Sequence, residues 1–324
     1  MYFLLVFLVQ KDCLANISVF SCDSSICSEF FYQLSQICHN IETLTITFED
    51  IISDGLVDLI SLQRNLKYVA LTAAYGDEND WTEILSSLTK FSLTLTKLEI
   101  LGYDAPVSLS FLNAFMYLQE IILSFYFTNT LVDFNKLQYV TFPQLHILKF
   151  PYAYPEAEML IQFLEINGKN LTEFYVGHQN NSLNLAVAKF CSNLKKLRLI
   201  FKYDELETLK MVFNNCQYLE SIKIRCGGDY YLEEKEMLEM VSKYSPKNFY
   251  ELKVEYIKSL SSSEELELFF MSWRDRVPQK PLSFIISTLF IGDDINSYVD
   301  MEIIEKYKTL DVIKKFETEK LNEI

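Results

Sequence analysis

The chain has 324 residues, of which 50% are hydrophobic and 15% aromatic, so it carries enough apolar side chains for a large core and is not a disordered sequence. Its 44 acidic and 29 basic residues give a net charge of −15, which repels a phosphate backbone and argues against nucleic acid as a partner. Only 8 glycines and 7 prolines occur, which argues against a protein built on many tight turns.

The first nine residues form an uninterrupted apolar run. No Lys or Arg precedes the run and no small-residue cleavage pattern follows it. We therefore predict that residues 1–13 are an apolar N-terminal segment, a partial repeat or cap; a signal peptide is the alternative. The run falls well short of the ~20 residues that a membrane-spanning helix needs, so no membrane partner is predicted.

An internal repeat runs through the chain after residue 13. The pattern apolar-x-x-apolar-x-apolar recurs ten times, at intervals of 23 to 30 residues with a mean close to 26. The copies begin at Leu14, Ile41, Leu66, Leu95, Leu118, Leu145, Leu171, Leu194, Leu219 and Phe249, and a degenerate eleventh begins at Pro281. This pattern at this period is the signature of leucine-rich repeats. Because one repeat cannot bury its own apolar face, neighbouring copies must stack and share a continuous core.

Between the predicted strands, apolar residues recur at the three- and four-residue spacings of an amphipathic helix. The predicted helices cover residues 28–40, 56–65, 81–91, 158–166, 184–192, 205–214, 233–244 and 264–273. Two helix starts have capping-box spacing, Asp204 with Glu207 and Ser261 with Glu264. In residues 127–142, Asn, Asp, Lys and Thr interrupt the pattern, so this is the one repeat for which an irregular segment is predicted.

Each repeat is therefore predicted to be a strand followed by a helix, and the fold class is α/β. Stacked repeats of this kind form a right-handed, horseshoe-shaped leucine-rich-repeat solenoid of about ten to eleven copies, with a parallel sheet on the concave side and helices on the convex side. We predict that this domain covers residues 14–290. Residues 291–324 are predicted to be a C-terminal cap and charged tail, with a helix over 301–307 and a strand over 312–316.

Seven cysteines lie in the chain without the dense spacing of disulfide-stapled secreted domains, which favours a reducing compartment, cytoplasmic or nuclear. Cys38, Cys191 and Cys216 each stand three residues before the first apolar position of a repeat. This shared position indicates small buried thiols. A Cys/His metal site is the weaker interpretation, because zinc ligands come in paired clusters rather than one per repeat.

The sequence contains no recognisable catalytic constellation. His39, His146 and His178 fall in different repeats, and neither a glycine-rich phosphate-binding motif nor H-E-x-x-H occurs. We therefore predict that the protein is not an enzyme and takes no metal or cofactor.

Residues between the apolar strand positions must point away from the core, onto the concave face. From the repeat at 145 onwards they form a basic stripe, which consists of Lys149, Tyr175, Arg198, Lys223 and Lys253, with Lys196 and Arg225 alongside. Like charges on strands about 5 Å apart repel, and a bound acidic or phosphorylated peptide would relieve that cost. The alternative is that Glu173, Glu251 and Glu255 on the same strands neutralise the stripe.

The middle repeats carry apolar residues on the same face, at Leu101, Ile122 and Ile147. An exposed apolar patch beside a basic one is typical of a protein-binding surface. The predicted partner is a protein substrate or peptide on the concave face.

Four segments carry a more specific resemblance. They are I-C-H-N-I-E-T-L-T-I (residues 37–46), G-L-V-D-L-I-S-L-Q-R-N-L-K-Y-V (55–69), F-C-S-N-L-K-K-L (190–197) and I-I-E-K-Y-K-T-L-D-V-I-K-K-F (303–316). They resemble the large fungal family of F-box and leucine-rich-repeat proteins, and the likeness spans nearly the whole chain. In that family an N-terminal F-box recruits the Skp-type adaptor of a cullin-RING ubiquitin ligase, and the repeats hold the substrate.

The resemblance implies a non-enzymatic protein–protein interaction module that recognises substrates for an SCF-type (Skp-cullin-F-box) ubiquitin ligase. The chain departs from the family pattern because no L-P-x-E-I-L-like helix precedes Leu14, so no F-box residue is assigned. A Skp-type adaptor and cullin are implied as partners if an F-box is present upstream. The alternative function is a leucine-rich-repeat scaffold or inhibitor with no ubiquitin link.

Overall fold

The chain divides into two structural units, residues 1–167 and 168–324. The computed structural model describes residues 14–49, 51–73, 80–102, 107–126, 131, 133–256, 262–277, 280–288 and 299–320. The apolar segment at residues 1–13 lies outside this range. In the part of the chain that is described, no helix combines the length and the apolar character needed to cross a bilayer.

The first unit alternates strands with helical segments. Its strands are β1 (Val19–Asp23), β2 (Thr43–Phe48), β3 (Tyr68–Ala73), β4 (Lys97–Gly102), β5 (Glu120–Phe125) and β6 (Ile147–Phe150). Its α-helices are α1 (Ser28–Ser35), α2 (Asp54–Ser61), α3 (Thr82–Leu88) and α4 (Ala157–Asn167). Each strand pairs in parallel with the next one along the chain.

The second unit repeats the same alternation. Its strands are β7 (Glu173–Val176), β8 (Lys196–Ile200), β9 (Ser221–Cys226), β10 (Glu251–Tyr256), β11 (Leu282–Thr288) and β12 (Ile313–Lys320). Its α-helices are α5 (Asn181–Phe190), α6 (Leu206–Asn215), α7 (Glu234–Tyr244), α8 (Ser263–Arg274) and α9 (Met301–Thr309). Here too each strand pairs in parallel with its successor, and the segment predicted as a cap supplies α9 and β12.

The strand register aligns the repeats copy with copy. Leu197 of β8 pairs with Ile222 of β9, which in turn pairs with Leu252 of β10. All three apolar positions of each copy that begins between Ile41 and Phe249 are buried. The predicted strand–helix repeat with a shared core is therefore confirmed for these copies.

The first copy is displaced from its predicted position. Val19 is 68% exposed, whereas Phe20 pairs with Leu44 and the buried Cys22 pairs with Ile46. The repeat therefore begins at Ile17, three residues later than predicted at Leu14. The prediction was wrong because Cys22 occupies the third apolar position of this copy, and the leucine-rich pattern does not include cysteine.

Two repeats of the first unit have 3₁₀ turns where the others have α-helices. One is Phe134–Lys136, within the segment predicted to be irregular. The other is Leu109–Ala114, so the prediction of a single irregular repeat was wrong. The length of the interval does not explain this turn, because the repeat from Leu171 to Leu194 has the same 23 residues as the one from Leu95 to Leu118 and contains the ten-residue helix α5.

The predicted capping boxes also need correction. No side chain caps α6, which begins after Glu205 rather than after Asp204. Helix α8 has a complete capping box, but its members are Ser262 and Glu265, one residue later than predicted. Ser261 lies outside the described residues.

Buried polar side chains tie one repeat to the backbone of the preceding one. The fully buried Gln63 donates from Nε2 to the carbonyls of Cys38 and Leu59, at 2.8 and 2.9 Å, and its Oε1 accepts from the Ile41 N–H at 3.0 Å. Asn167 donates to the Val140 carbonyl at 2.9 Å and accepts from the Phe142 N–H at 2.7 Å. These contacts provide hydrogen-bond partners for backbone groups that lie just before a strand, where the strand ladder does not pair them.

The three cysteines at the shared repeat position are fully buried, as predicted. Cys216 Sγ donates to the Cys191 carbonyl at 3.4 Å, so this thiol also links adjacent repeats. Cys191 packs so tightly that a Cβ on Gly168 would lie 2.9 Å from its Sγ. Burial raises the pKa of Cys191 well above the ordinary thiol value and that of Cys216 to about 12, so both remain protonated thiols.

Replacing Gln63 by Ala is expected to lower the free energy of unfolding by about 1–3 kcal/mol, because it leaves a buried N–H and a buried carbonyl without partners. The measurement is urea denaturation of both proteins. The matched control is Gln36→Ala, at an exposed side chain, which should change the value by less than about 0.5 kcal/mol. Equal losses in the two variants would contradict the structural role of Gln63.

Replacing Cys191 by Ser is also expected to cost about 1–3 kcal/mol, because a hydroxyl that needs a partner replaces a thiol in an apolar, tightly packed site. Cys27→Ser is the control, since Cys27 is exposed. An unchanged denaturation midpoint for Cys191→Ser would refute the interpretation.

Candidate functional site

The sheet face opposite the buried apolar positions carries most of the charged strand residues of the second unit. In a parallel ladder, residues at the same register position stand side by side. Tyr175, Arg198, Lys223 and Lys253 form one such row across β7 to β10. A flanking row consists of Glu173, Lys196, Ser221 and Glu251, and the row on the other side contains Ile200, Arg225 and Glu255.

Glu255 is the centre of a charge cluster on this face. Its side chain is 1% exposed and accepts from Arg198 Nη2 at 2.8 and 2.9 Å. Lys223 Nζ lies 2.8 Å from Oε1, and Arg225 Nε lies 3.1 Å from Oε2. One carboxylate thus faces three cations, and the cluster keeps two positive charges in excess.

Arg198 is held from several sides. Its guanidinium lies over the Tyr175 ring, 4.4 Å from the centroid, and Nη1 donates to the Tyr175 hydroxyl oxygen. Arg198 is buried, and its Nε has no hydrogen-bond partner among the described residues. The side chain is therefore fixed by Glu255 and Tyr175 instead of extending into solvent.

The charges shift the pKa values of nearby groups. Burial acts to raise the pKa of the Glu255 carboxyl, but Arg198, Lys223 and Arg225 outweigh it and hold the pKa below its usual value. Burial, followed by the charges of Arg225 and Arg198, lowers the pKa of His178. Glu255 is thus ionised at neutral pH while its surroundings remain positive.

The rows border a cleft of about 250 Å³. Its lining carries both signs of charge, with Lys196, Arg198, Lys223 and Lys253 against Glu173, Glu251 and Glu319. Lys253 Nζ lies 3.5 Å from Glu251, and Ser221 donates to the same carboxylate at 2.7 Å. Among the described residues no group of three or more His, Cys, Asp or Glu side chains is placed to hold a metal ion.

Four of the predicted partner-binding residues lie in the first unit. Ile122 and Lys149 are direct register neighbours, Ile147 stands beside Glu120, and Leu101 stands beside Ser124. All four side chains are half-buried on the face opposite the apolar positions. The three apolar residues occupy three different rows, each with a polar or charged neighbour, and do not form one apolar row.

The structure brings together six of the ten predicted residues on the second unit: Tyr175, Lys196, Arg198, Lys223, Arg225 and Lys253. The alternative predicted from the sequence was that glutamates on the same strands neutralise the basic stripe. Glu255 does neutralise part of it. Alternation along β10 identifies Glu255 as a face residue but does not show that Arg198, two strands away, reaches it. That contact depends on the length and direction of the arginine side chain.

No protein-family model and no curated protein sequence matches this chain. A chain in the crystal structure of the Rad7 and Elc1 complex in yeast is similar in structure, with a TM-score of 0.58 and 15% sequence identity over 93% of this chain and 76% of that chain. Together with the parallel strand order and the buried repeat positions, this likeness shows that the chain has the α/β leucine-rich-repeat fold.

The substitution Glu255→Gln is expected to destabilise the protein by about 3 kcal/mol at neutral pH, because it removes the carboxylate that pairs with three cations. A carboxyl whose pKa is lower when folded contributes stability above its unfolded pKa and loses it as the pH falls through the folded pKa. The difference between wild type and variant should therefore shrink in acid. Urea denaturation from about pH 7 to about pH 3 measures it.

Glu207→Gln serves as the control, since Glu207 is 78% exposed on α6 and pairs with Lys210 at the surface. Its effect should be small at every pH. A Glu255→Gln difference that does not change with pH would contradict the assignment of Glu255 as an ionised hub.

Proposed function

We propose that this chain is a non-enzymatic protein–protein interaction module that recognises substrates for an SCF-type ubiquitin ligase in the cytoplasm or nucleus. The observation that carries the proposal is the leucine-rich-repeat fold, whose open sheet face presents a preorganised charge cluster around Glu255. Side chains on a rigid parallel sheet keep their positions, which suits recognition of a partner surface.

The structural neighbour supports a role in assembly. The similar chain comes from the crystal structure of a complex of Rad7 and Elc1, so in that structure it is bound to a second protein. The link to a ubiquitin ligase comes from the resemblance of the repeats to F-box and leucine-rich-repeat proteins. Two of the segments that carry it, residues 55–69 and 190–197, each span a helix end and the start of the following strand, β3 or β8.

A binding role also agrees with the state of the reactive groups. The thiols of Cys191, Cys216 and Cys226 are buried, and burial raises their pKa values, so they are not poised as nucleophiles. The buried carboxylate Glu255 is held by three cations and is not poised as a general base. These features favour recognition over catalysis.

We propose that the partner-binding residues are those predicted from the sequence, which lie on the sheet face of each unit. They are Leu101, Ile122, Ile147 and Lys149 on the first unit and Tyr175, Lys196, Arg198, Lys223, Arg225 and Lys253 on the second. Aromatic and arginine side chains such as Tyr175 and Arg198 are frequent anchors of protein interfaces.

The test is affinity capture of the tagged chain from its own cells, followed by mass spectrometry. The proposal predicts recovery of a Skp-type adaptor and a cullin together with further proteins. A Lys223→Glu/Lys253→Glu variant should lose the further proteins and keep the adaptor, since these lysines lie on the substrate face. The control is Lys189→Glu/Lys243→Glu, which makes the same charge change at exposed helix positions.

Recovery of stable partners without adaptor or cullin would contradict the ligase role. It would favour the alternative, a leucine-rich-repeat scaffold or inhibitor that acts by covering its target.

A further inference from the structure

Two arginines and three lysines lie on the sheet face of the second unit. Arg198 and Arg225 bind Glu255 from inside the cluster, and the Arg198 side chain is only 9% exposed. Lys223 and Lys253 are 20% and 33% exposed, and Lys196 is exposed. Arg225 is 22% exposed but does not line the cleft, so Arg198 is the least exposed of the cations that do.

The buried arginine cannot offer the paired donors that bind a phosphate. Phosphate recognition by arginine depends on two parallel N–H groups of one guanidinium. In Arg198, Nη2 donates to Glu255, Nη1 donates to Tyr175, and Nε is enclosed by protein. A free fork is therefore absent from this side chain.

The lysines are arranged as separate point charges. Lys223 and Lys253 are direct register neighbours on β9 and β10, and Lys196 lies on β8, one row away. Adjacent strands are about 4.8 Å apart, so the backbone positions of the three lysines span about 10 Å across the sheet. Single negative charges spaced along an extended chain match this spread better than one dianionic group.

The carboxylates that line the cleft also favour separated single charges on the partner. Glu173, Glu251 and Glu319 also line the cleft, so charge concentrated in one group would be repelled by several neighbours at once. Separated carboxylates place less charge near any one of these glutamates.

We infer that the cleft in residues 168–324 binds an acidic, unphosphorylated segment of a protein partner, whose Asp and Glu carboxylates pair with Lys196, Lys223 and Lys253. This inference deepens the proposed function and rests on it, because it names the chemistry of the partner that the interaction module recognises. Arg198 and Glu255 act as positioning residues that hold the middle row in place.

The experiment uses the full chain and a fluorescein-labelled oligo-glutamate peptide of about eight residues, long enough to cross three strands. Fluorescence anisotropy at low ionic strength measures binding. Because the chain has a net charge of −15, a polyanion is not attracted by the protein as a whole, and binding reports a local cationic site. An oligo-glutamine peptide of the same length should not bind.

The variant Lys196→Gln/Lys223→Gln/Lys253→Gln is expected to weaken binding about tenfold or more, since it removes the three ammonium groups. The matched control is Lys169→Gln/Lys189→Gln/Lys243→Gln, which makes the same change of charge at exposed positions outside the cleft. Urea denaturation of both variants shows whether the fold is preserved, and Lys196→Gln alone, at an exposed side chain, tests the site if the triple variant is unstable.

Three outcomes would overturn the inference. They are absence of oligo-glutamate binding, equal weakening by the two triple variants, and tighter binding of a glutamine peptide with one phosphoserine than of oligo-glutamate. If adaptor and cullin are captured but the peptide does not bind, only this inference fails. If the peptide binds but the adaptor is not captured, the ligase role fails and the acidic-segment site stands.

Discussion

The backbone of each described strand forms hydrogen bonds with the strand of a neighbouring repeat. The register of that pairing decides on which face of the sheet each side chain lies. The alignment of Leu197 with Ile222 and Leu252 places apolar residues on one face and the charged residues between them on the other. A slip of one residue would turn the lysines into the core and the leucines into solvent. The buried apolar positions therefore hold the charged face in place.

The contacts at the repeat corners depend on the same stacking. Gln63, Asn167 and Cys216 each reach the backbone of the preceding repeat, although they differ in size and polarity. Each of them satisfies a carbonyl that the next strand does not reach. The helical side varies more, since two repeats of the first unit have 3₁₀ turns in place of α-helices. The strands set the repeat, and the segments between them vary in secondary structure.

On the open face, the local charge balance differs from that of the whole molecule. The chain is acidic, yet Arg198, Lys223 and Arg225 converge on one buried carboxylate. Glu255 holds Arg198 inside the cluster, and Lys196, Lys223 and Lys253 are the more exposed cations of the cleft lining. The same carboxylate therefore stabilises the face and decides which cations a partner can contact.

The sequence by itself determined the repeat, the alternation of strand and helix and the face on which each strand residue lies, because these follow from local periodicity. It misplaced the first copy, because Cys22 takes the position of a leucine, and it missed the 3₁₀ turn at Leu109–Ala114. Only the tertiary structure showed that Arg198 on β8 reaches across β9 to Glu255 on β10, since this contact depends on stacking and on side-chain direction. A pattern in one repeat carries no information about which side chains of other repeats meet across the sheet. Those contacts between repeats decide which charges a partner can reach.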